Sequence, residues 1–330
     1  MLPVPRWSAF LAERGIDLTT SSVTRLDGGE VNLNWKISGG GNQAWVLRHY
    51  QVTHDAGEVE CELAAVAHLS TSGFPTPPPL PGRDGRLWDW VNEKPAALFE
   101  FASGHHPPQR PGGYGSLDLH LGEQAARLAA QMHRDLTAYP LPGGRKAHRD
   151  PWHQLTEFLS GTKADHLLFA TLLAPLHALK ARLDTVYAGP PAAVPSGFIH
   201  NDITPSNLLL DAAGNVTALL DFDDSAQTHL VYELGAIIGA FGKDHDRRVD
   251  PQRASALVAA YNSVRPLTPE EATLLPDLLA AHAAAQGLSV LSNWPTAGHN
   301  VIDPLESFSI QEFLDISNDR QDVRGALSPR

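Results

Sequence analysis

The sequence predicts an α+β protein with two lobes, residues 1–102 and residues 103–330. In the first lobe, short apolar runs alternate with glycine- and proline-rich turns, a pattern that favours an antiparallel sheet, and one longer helix interrupts them. The second lobe begins with a linker at 103–115 that is rich in glycine, proline and histidine, and most of its apolar residues recur at helical spacing. We therefore expect a mainly helical second lobe, apart from a block of strands and loops at 198–224.

Turn residues separate the predicted elements of the first lobe. Gly15 follows the first amphipathic helix at a position where helices often stop. Glycine clusters separate the first three strands, and a Gly-x-Pro segment stops the second helix. The elements are predicted at 7–13 (helix), 22–26, 33–37 and 44–50 (strands), 57–70 (helix), and 88–91 and 96–101 (hairpin strands with their turn at 93–95).

Helical spacing and capping residues mark the elements of the second lobe. Thr268 and Glu271 enclose Pro269 in the pattern of a capping box, which predicts the start of a helix there. Helices are predicted at 116–137, 155–159, 165–186, 230–241, 251–261, 272–292 and 302–316.

Composition limits the compartment and the partners. The chain has 330 residues with 42% hydrophobic content, which is ample for packed cores. Its formal charge of −12 disfavours nucleic acid or an anionic membrane surface as the main partner and tolerates a cationic small molecule. Cys61 is the only cysteine, which fits a reducing compartment, and no run of residues approaches the length of a membrane span. We therefore expect a cytoplasmic monomer or homodimer with no nucleic-acid or membrane partner.

The block at 198–224 contains the residues with the clearest chemistry. An apolar run ends at His200, Asp202 follows two residues later, and Asn207 comes five residues after that, which gives the pattern His-x-Asp-x-x-x-x-Asn. Two apolar runs around a turn-rich segment then predict a hairpin, and the second run ends at Asp221. The sequence therefore predicts a strand, a catalytic loop, a hairpin and a metal loop in direct succession.

This layout suits phosphoryl transfer, which needs metal ions, charge neutralisation and a positioned acceptor oxygen more than covalent work by the protein. Asp202 is the candidate base that accepts the proton of the acceptor hydroxyl. Asn207 and Asp221 supply a neutral and an anionic oxygen, and Mg²⁺ prefers oxygen ligands of this kind. His200 is expected to pack and hydrogen-bond beneath the loop, because Asp202 occupies the acidic position of the pattern.

The block resembles the superfamily of aminoglycoside phosphotransferases, homoserine kinases and choline kinases, in which an H-x-D-x-x-x-x-N loop precedes a D-x-D metal loop. The resemblance covers nearly the whole chain, although only the central block is specific. It implies a protein-kinase-like two-lobed fold, ATP and Mg²⁺ as cofactors, and transfer of the γ-phosphate to a hydroxyl of a small molecule. The implied acceptors are amino alcohols, hydroxy amino acids or aminoglycoside-like compounds.

The resemblance assigns nucleotide-binding roles to residues of the first lobe. Gly28 and Gly29 lie between strands, where the cover loops of kinases approach phosphate, although a glycine pair is also a common hairpin turn. Arg48 occupies the strand position of the phosphate-binding lysine of kinases, as in homoserine-kinase-like relatives; an exposed strand arginine is the alternative. Glu62 is expected to orient Arg48, and Glu58, one helical turn earlier, is the competing partner.

Further positions follow from the order of elements in the family. The segment that contains Glu100 and Ala102 corresponds to the hinge, whose backbone can hydrogen-bond an adenine edge. Glu233 stands where the family has an aspartate that braces the catalytic loop. His133 belongs to a helix that resembles the family's L-A-x-x-x-H pattern and is expected to be a core residue instead of a ligand.

Acidic residues suggest that the acceptor carries a positive charge. Asp223 and Asp224 follow the metal ligand and are candidate acceptor-binding residues, with Trp294 as a possible cation–π face. Asp303 and Glu306 add negative charge near the C-terminus. The alternative is a solvated acidic surface and a core tryptophan.

Two other functions fit the central block less well. A protein Ser/Thr kinase of the same fold would need an activation segment, but no Ala-Pro-Glu triplet follows the metal loop and little chain separates it from the next helix. A nucleotide-binding pseudokinase would not need Asp202, Asn207 and Asp221 intact. We therefore expect a small-molecule kinase.

Overall fold

The structure is a computed structural model that describes residues 4–26, 31–52, 55–108, 118–142, 150–161, 170–187, 194–293 and 307–318, and residues 323, 325 and 327 singly. The described residues group into two compact units that alternate along the chain. The sheet unit draws on Met1–His106, Ala138–Arg145 and Leu208–Asp223, and the helix unit draws on Pro107–Thr137, Lys146–Asn207 and Asp224–Arg330. The lobe boundary predicted at residue 102 stays a prediction.

Strands dominate the first third of the chain and helices dominate the rest, which confirms the predicted α+β class. The elements are, in chain order, α1 Val4–Ala12, β1 Ser22–Arg25, β2 Leu33–Ser38, β3 Ala44–His49, α2 Ala56–Thr71, β4 Trp88–Val91, β5 Lys94–Glu100, α3 Leu119–Leu136, α4 Pro151–Ser160, α5 Ala170–Tyr187, β6 Ser196–Ile199, β7 Leu208–Leu210, β8 Val216–Leu219, β9 Ala226–His229, α6 Val231–Phe241, α7 Pro251–Asn262, α8 Pro269–Asn293 and α9 Phe308–Asn318.

The sheet unit is built on a five-stranded antiparallel sheet with the strand order β1-β2-β3-β5-β4. β3 lies at its centre, so that Arg48 is opposite Asn34 of β2 and Ala97 of β5. Both edges of β3 are therefore paired, and the backbone that carries Arg48 is fixed from two sides.

Aromatic residues of α1 form an apolar core with the sheet. Trp7 and Phe10 are buried in one cluster with Ile37 and Leu47 of the central strands. Burial of apolar surface of this kind is the main favourable contribution to folding. Gly15, just past the end of the helix, has a φ of +76°, a conformation that glycine adopts without strain.

The hairpin between β4 and β5 corrects the predicted turn. The turn consists of Asn92 and Glu93, with φ of +50° and +65°, and not of 93–95. Two residues in the left-handed region are typical of a two-residue hairpin loop, in which asparagine is favoured. Lys94 and Pro95 belong to β5. A proline is tolerated at this place because it lies near the start of the strand.

β7 and β8 form the second predicted hairpin, which lies in the sheet unit. The carboxylate of Asp211 accepts the backbone N–H groups of Ala213 and Asn215, each at 2.9 Å, and so fixes the turn. β7 begins directly after Asn207, and β8 ends two residues before Asp221. The hairpin therefore separates the two predicted metal ligands along the sequence.

α6 is a deeply buried helix of the helix unit, since every residue in it except Ala240 is buried. It packs against α3, α7 and α8, and α8 packs in turn against α9. α6 therefore forms a core element that leads from the end of β9 to the C-terminal helices.

β6 pairs antiparallel with β9. The sequence did not predict β9.

The predicted capping box at the start of α8 is confirmed. Thr268 Oγ1 accepts the N–H of Glu271 at 3.1 Å, and the carboxylate of Glu271 accepts the N–H of Thr268 at 2.9 Å. Of the helices in the described ranges, none combines the length and the apolar character that crossing a membrane requires.

Candidate active site

The catalytic loop follows β6 in the helix unit and brings Asp202 and Asn207 together. The Nδ2 of Asn207 donates to the Oδ2 of Asp202 at 2.7 Å and to its backbone carbonyl at 2.9 Å. Asp202 is partly exposed. The amide of Asn207 therefore fixes the orientation of the carboxylate of a partly exposed residue.

A buried glutamate holds the backbone of this loop, which confirms the brace expected at Glu233. Its carboxylate accepts the N–H groups of His200 and, at 2.9 Å, of Asn201, and the residue is fully buried. His200 is also fully buried, and its Nδ1 accepts the N–H of Asp202 at 3.2 Å. The predicted place of His200 beneath the loop is confirmed, and three successive backbone N–H groups are used to position the loop.

Asn201 takes a conformation that non-glycine residues adopt less often. Its φ is +71°, and its Nδ2 donates to the carbonyl of Asp224 at 3.2 Å. Asparagine and aspartate tolerate the left-handed region better than other side chains, and such conformations concentrate at functional sites. The backbone therefore turns sharply just before Asp202.

Behind the brace lies a chain of buried polar groups. His133 Nδ1 is 2.8 Å from the hydroxyl of Tyr261, which also accepts from Arg265 at 3.0 Å, and His133 Nε2 is 3.8 Å from the carboxylate of Glu233. Arg265 donates to the Tyr261 oxygen, so the hydroxyl proton of Tyr261 can point to His133 Nδ1. The neutral ring of His133 then carries its own proton on Nε2, which faces Glu233. Burial lowers the pKa of His133. His133 is a core residue, as expected.

The metal loop lies in the sheet unit and places Asp221 against Arg48. Asp221 has a φ of +63°, and its Oδ1 is 3.0 Å from a guanidinium nitrogen of Arg48. The side chain of Asp221 is 42% exposed, whereas that of Arg48 is 11% exposed. One carboxylate oxygen of the metal loop is therefore engaged by a nearly buried cation, while the side chain stays open to solvent.

The ion pair expected between Arg48 and Glu62 is present at 3.7 Å, so the partner is Glu62 and not Glu58. Tyr50, which is fully buried, donates its hydroxyl to the same Glu62 oxygen at 2.9 Å. Burial disfavours the charge of Arg48, but Asp221 and the other nearby carboxylates outweigh burial and raise its pKa above the ordinary arginine value. Arg48 therefore stays charged.

Sequence reasoning missed the contact that holds the end of the metal loop. Asn32 Nδ2 donates to Asp223 Oδ2 at 3.0 Å, and Asn32 Oδ1 accepts the N–H of Gln51 at 3.1 Å. Asn32 and Asp223 are 6% exposed each. Asp223 is thus buried within the sheet unit, and its predicted contact with the acceptor stays a prediction. The sequence offered one indication of this contact, namely that Asn32 is a polar residue directly before a predicted strand.

The predicted hinge lies at the end of β5. The N–H of Glu100 donates to the carbonyl of Pro78 at 3.1 Å, and the N–H of Phe101 donates to the carbonyl of Ala44 at 3.0 Å. These two amides are therefore already paired, and the expected adenine contacts at Glu100 and Ala102 stay predictions. The predicted residues Gly28, Gly29, Trp294, Asp303 and Glu306 lie outside the described residues.

The donor atoms suit a magnesium ion in their chemistry. Within the described ranges, no group of three or more His, Cys, Asp or Glu side chains could hold a metal ion by itself. Mg²⁺ does not require such a group, since it is commonly bound by one or two carboxylates together with phosphate oxygens and water. The amide nitrogen of Asn207 donates hydrogen bonds to Asp202, so the amide oxygen is the atom of this side chain that is suited to bind a cation.

The chain matches the model of the phosphotransferase enzyme family over residues 22–267. A homoserine kinase of Chelativorans sp. strain BNC1 is 30% identical over 271 residues, which span 80% of this chain and 79% of that protein. The predicted family is therefore confirmed.

Solved structures agree on the fold. The microcompartment-associated aminopropanol kinase has a TM-score of 0.64 at 21% identity and covers 97% of this chain and 100% of its own. An amicoumacin kinase, solved in complex with AMP-PNP, Ca²⁺ and Ami, has a TM-score of 0.65 at 12% identity and covers 97% of this chain and 95% of its own. Both confirm the kinase-like fold that the central block predicted. The chain belongs to the phosphotransferase enzyme family and is a small-molecule kinase.

Proposed function

We propose that the protein transfers the γ-phosphate of ATP to a hydroxyl group of a small molecule in a Mg²⁺-dependent reaction. The observation that carries this proposal is the catalytic loop, in which Asn207 orients the carboxylate of Asp202 and Glu233 holds the backbone. Phosphoryl transfer depends mainly on positioning and charge neutralisation, and a rigid, oriented carboxylate meets the first need.

Asp202 acts as the base for the acceptor. Asp202 Oδ2 accepts from Asn207, and the residue is partly exposed, which supports the approach of a hydroxyl. The carboxylate accepts the hydroxyl proton as the oxygen attacks the phosphorus, and it holds that oxygen in line with the leaving group.

Arg48 is the cation for the nucleotide phosphates. It is held by Glu62, which Tyr50 fixes in turn, and it keeps its charge in a nearly buried position. The AMP-PNP in the amicoumacin kinase structure supports a nucleoside triphosphate as donor. Gly28 and Gly29 would cover the phosphates, and the backbone of the Glu100–Ala102 segment would contact the base.

Asn207 and Asp221 would hold the magnesium ion. When bound, Mg²⁺ neutralises the charge that develops on the phosphate oxygens. Asp221 contributes the anionic ligand, and its exposure leaves it accessible. Arg48 keeps this carboxylate oriented until the ion and nucleotide arrive.

The acceptor is a small alcohol that carries an amine: an amino alcohol, a hydroxy amino acid or an aminoglycoside-like compound. Homoserine and aminopropanol, which give the relatives their names, both carry an amine and a hydroxyl. Asp223 and Asp224 are the acids proposed to favour such a cation. A protein substrate is disfavoured because only a short loop and β9 separate Asp223 from α6.

An ATP-consumption screen tests the proposal. The native protein and Asp202→Asn are compared, with Mg²⁺, on homoserine, choline, ethanolamine, 1-amino-2-propanol, hydroxylysine, aminoglycosides and a generic protein substrate. We expect one class of small alcohol to consume ATP with the native protein alone. Consumption with the protein substrate only, or equal consumption by the variant, would contradict the proposal.

A further inference from the structure

Within the sheet unit, the metal loop is held to the five-stranded sheet at two points. At its start, Asp221 Oδ1 lies 3.0 Å from a guanidinium nitrogen of Arg48, which belongs to β3. Two residues later, Asp223 Oδ2 accepts from the Nδ2 of Asn32 at 3.0 Å, and Asn32 directly precedes β2. Phe222, which lies between the two aspartates, is buried as well. The course of the loop is therefore set by two neighbouring strands.

The amide of Asn32 is oriented by its two partners. Its Oδ1 accepts the backbone N–H of Gln51 at 3.1 Å. A backbone N–H can only donate, so the amide oxygen must face Gln51 and the NH₂ group must face Asp223. Asn32 and Asp223 are both buried. Breaking their hydrogen bond would leave a buried donor unsatisfied, which makes the contact costly to lose.

The same contacts form a closed set around Arg48. Arg48 lies 3.7 Å from Glu62, and the hydroxyl of Tyr50 donates to the same Glu62 oxygen at 2.9 Å. Tyr50 is followed in the chain by Gln51, whose N–H reaches Asn32. The contacts therefore lead from Asn32 through the metal loop to Arg48 and back to Asn32. Groups in a connected network of this kind support one another's positions.

The backbone conformation of Asp221 requires such support. Its φ of +63° lies in the left-handed region, which persists in a non-glycine residue when the surrounding structure imposes it. Arg48 acts on the side chain of Asp221, and Asn32 fixes the chain two residues further on. Loss of the second contact would leave the loop free to turn about Arg48, and the carboxylate of Asp221 would lose its direction.

The neutral side chain of Asn32 suits a place beside a metal ligand. Asp221, Glu62 and Asp223 all act on Arg48 as nearby negative charges. An amide holds Asp223 without compensating its charge, whereas a cation at the same place would weaken the attraction for a divalent ion. Asn32 therefore fixes the loop and leaves it negatively charged.

We propose that Asn32 is a positioning residue for magnesium, because by holding Asp223 it fixes the metal loop in the conformation in which Asp221 binds the ion. The inference rests on the proposed function, in which Asp221 is a metal ligand, and it adds a residue to that site. The positioning role of Asp223 is separate from its proposed contact with the acceptor. Its test therefore measures the effect of Mg²⁺ and not that of the acceptor.

Reversing the hydrogen bond tests the proposal. Asn32→Asp keeps an acceptor for the N–H of Gln51 and sets two carboxylates against each other. The double variant Asn32→Asp/Asp223→Asn exchanges the two groups, so that the amide at position 223 donates to the carboxylate at position 32 and the net charge stays native. Asp223→Asn alone removes the charge, but its amide oxygen can still accept from Asn32.

The Kd of ATP is measured by calorimetry in EDTA and in Mg²⁺, and the ratio of the first value to the second gives the contribution of the ion. We expect Asn32→Asp to lower this ratio about tenfold, as for a lost hydrogen bond to a charged group, with the Kd in EDTA within about twofold of native. The double variant and Asp223→Asn should both stay within about threefold of the native ratio. A merely structural role would instead weaken ATP binding equally with and without Mg²⁺.

Asn42→Asp is the matched control, because Asn42 lies in the exposed turn at the other end of β2 and its replacement adds the same charge. This control should keep the native ratio. Should Asn32→Asp fail to fold, the double variant decides, since a folded protein with the native ratio then requires the two exchanged groups to be paired.

The outcomes separate the positioning role from the function. A native ratio in Asn32→Asp, or a double variant that does not recover the ratio, overturns the positioning role, and phosphate transfer by the native protein then leaves the proposed function intact. Recovery by the double variant, in a protein that transfers phosphate to no alcohol, supports the positioning role and contradicts the function. Native protein whose ATP binding does not depend on Mg²⁺ overturns both.

Discussion

The catalytic loop and the metal loop hold their aspartates in different ways. In the helix unit, Asp202 is oriented by the neutral amide of Asn207 at 2.7 Å. In the sheet unit, Asp221 faces the guanidinium of Arg48 at 3.0 Å. An amide orients a carboxylate without compensating its charge, whereas a nearby cation makes a carboxylate a poorer proton acceptor.

Both loops nevertheless use the same backbone device. Asn201, just before the base, and Asp221 itself have φ of +71° and +63°. Left-handed conformations of this kind cost energy and persist when the surroundings impose them. Both loops therefore contain a residue in the left-handed region, and the charge of the neighbouring group distinguishes the proposed base from the proposed metal ligand.

The largest effect is expected at the base. Asp202→Asn keeps the shape of the side chain and removes its ability to accept a proton, so kcat should fall by about 10²- to 10⁴-fold. Mg-ATP binding, measured by calorimetry, should remain. Asp211→Asn, an aspartate in the exposed turn of the hairpin, is the control and should retain activity. Near-native turnover by Asp202→Asn would show that the two aspartates do not differ as proposed.

A different failure is expected at the metal loop. Asp221→Ala should lose most of the stabilisation by Mg-ATP, which for a ligand at a hundred times its Kd is about 2.7 kcal/mol. Thermal unfolding with and without Mg-ATP measures this loss. The control is Asp84→Ala, an exposed aspartate of the sheet unit that pairs with Arg86. An intact thermal shift in Asp221→Ala would exclude this residue as a ligand.

The sequence predicted the features of the two loops that depend on local spacing. The His-x-Asp-x-x-x-x-Asn pattern, the brace at Glu233 and the pairing of Arg48 with Glu62 all follow from short intervals or from the order of elements. The hairpin turn predicted at 93–95 lies at Asn92 and Glu93, because Pro95 was taken as a turn residue although it is the second residue of β5.

Pairs that join distant parts of the chain could not be predicted in this way. Asn32 and Asp223 are 191 residues apart, and Lys243 and Glu312 are 69 apart. No periodicity encodes such a contact, since it depends on how whole elements pack. The ion pair of Asp221 with Arg48 was missed for the same reason, because the sequence assigned Arg48 to the nucleotide and to Glu62 only.

The carboxylate of Glu233 holds the backbone of the catalytic loop and not that of the metal loop, so a change at Glu233 tests the catalytic loop separately. Glu233→Gln replaces an oxygen that accepts a backbone N–H with an amide group that donates, so one N–H of the loop loses its partner. We expect kcat to fall by about ten- to a hundredfold through misplacement of Asp202, with the KM for ATP nearly unchanged. Glu123→Gln is the control, because Glu123 is a partly exposed helix glutamate paired with Arg127. A rise in the KM for ATP without a fall in kcat would show that Glu233 does not act through the catalytic loop.

The smallest effect is expected from Arg48→Lys, which keeps the positive charge beside Asp221 and removes the planar guanidinium group with its several N–H donors. A lysine is a point charge and cannot face Glu62 and Asp221 at once with the geometry of a guanidinium. We expect the KM for ATP to rise about tenfold, or ~1.4 kcal/mol, with kcat reduced less. Arg86→Lys is the control, because its side chain is 74% exposed. If kcat falls as far as in Asp202→Asn, the cation of the metal loop takes part in the chemical step, and the division between an orienting amide and a compensating cation does not hold.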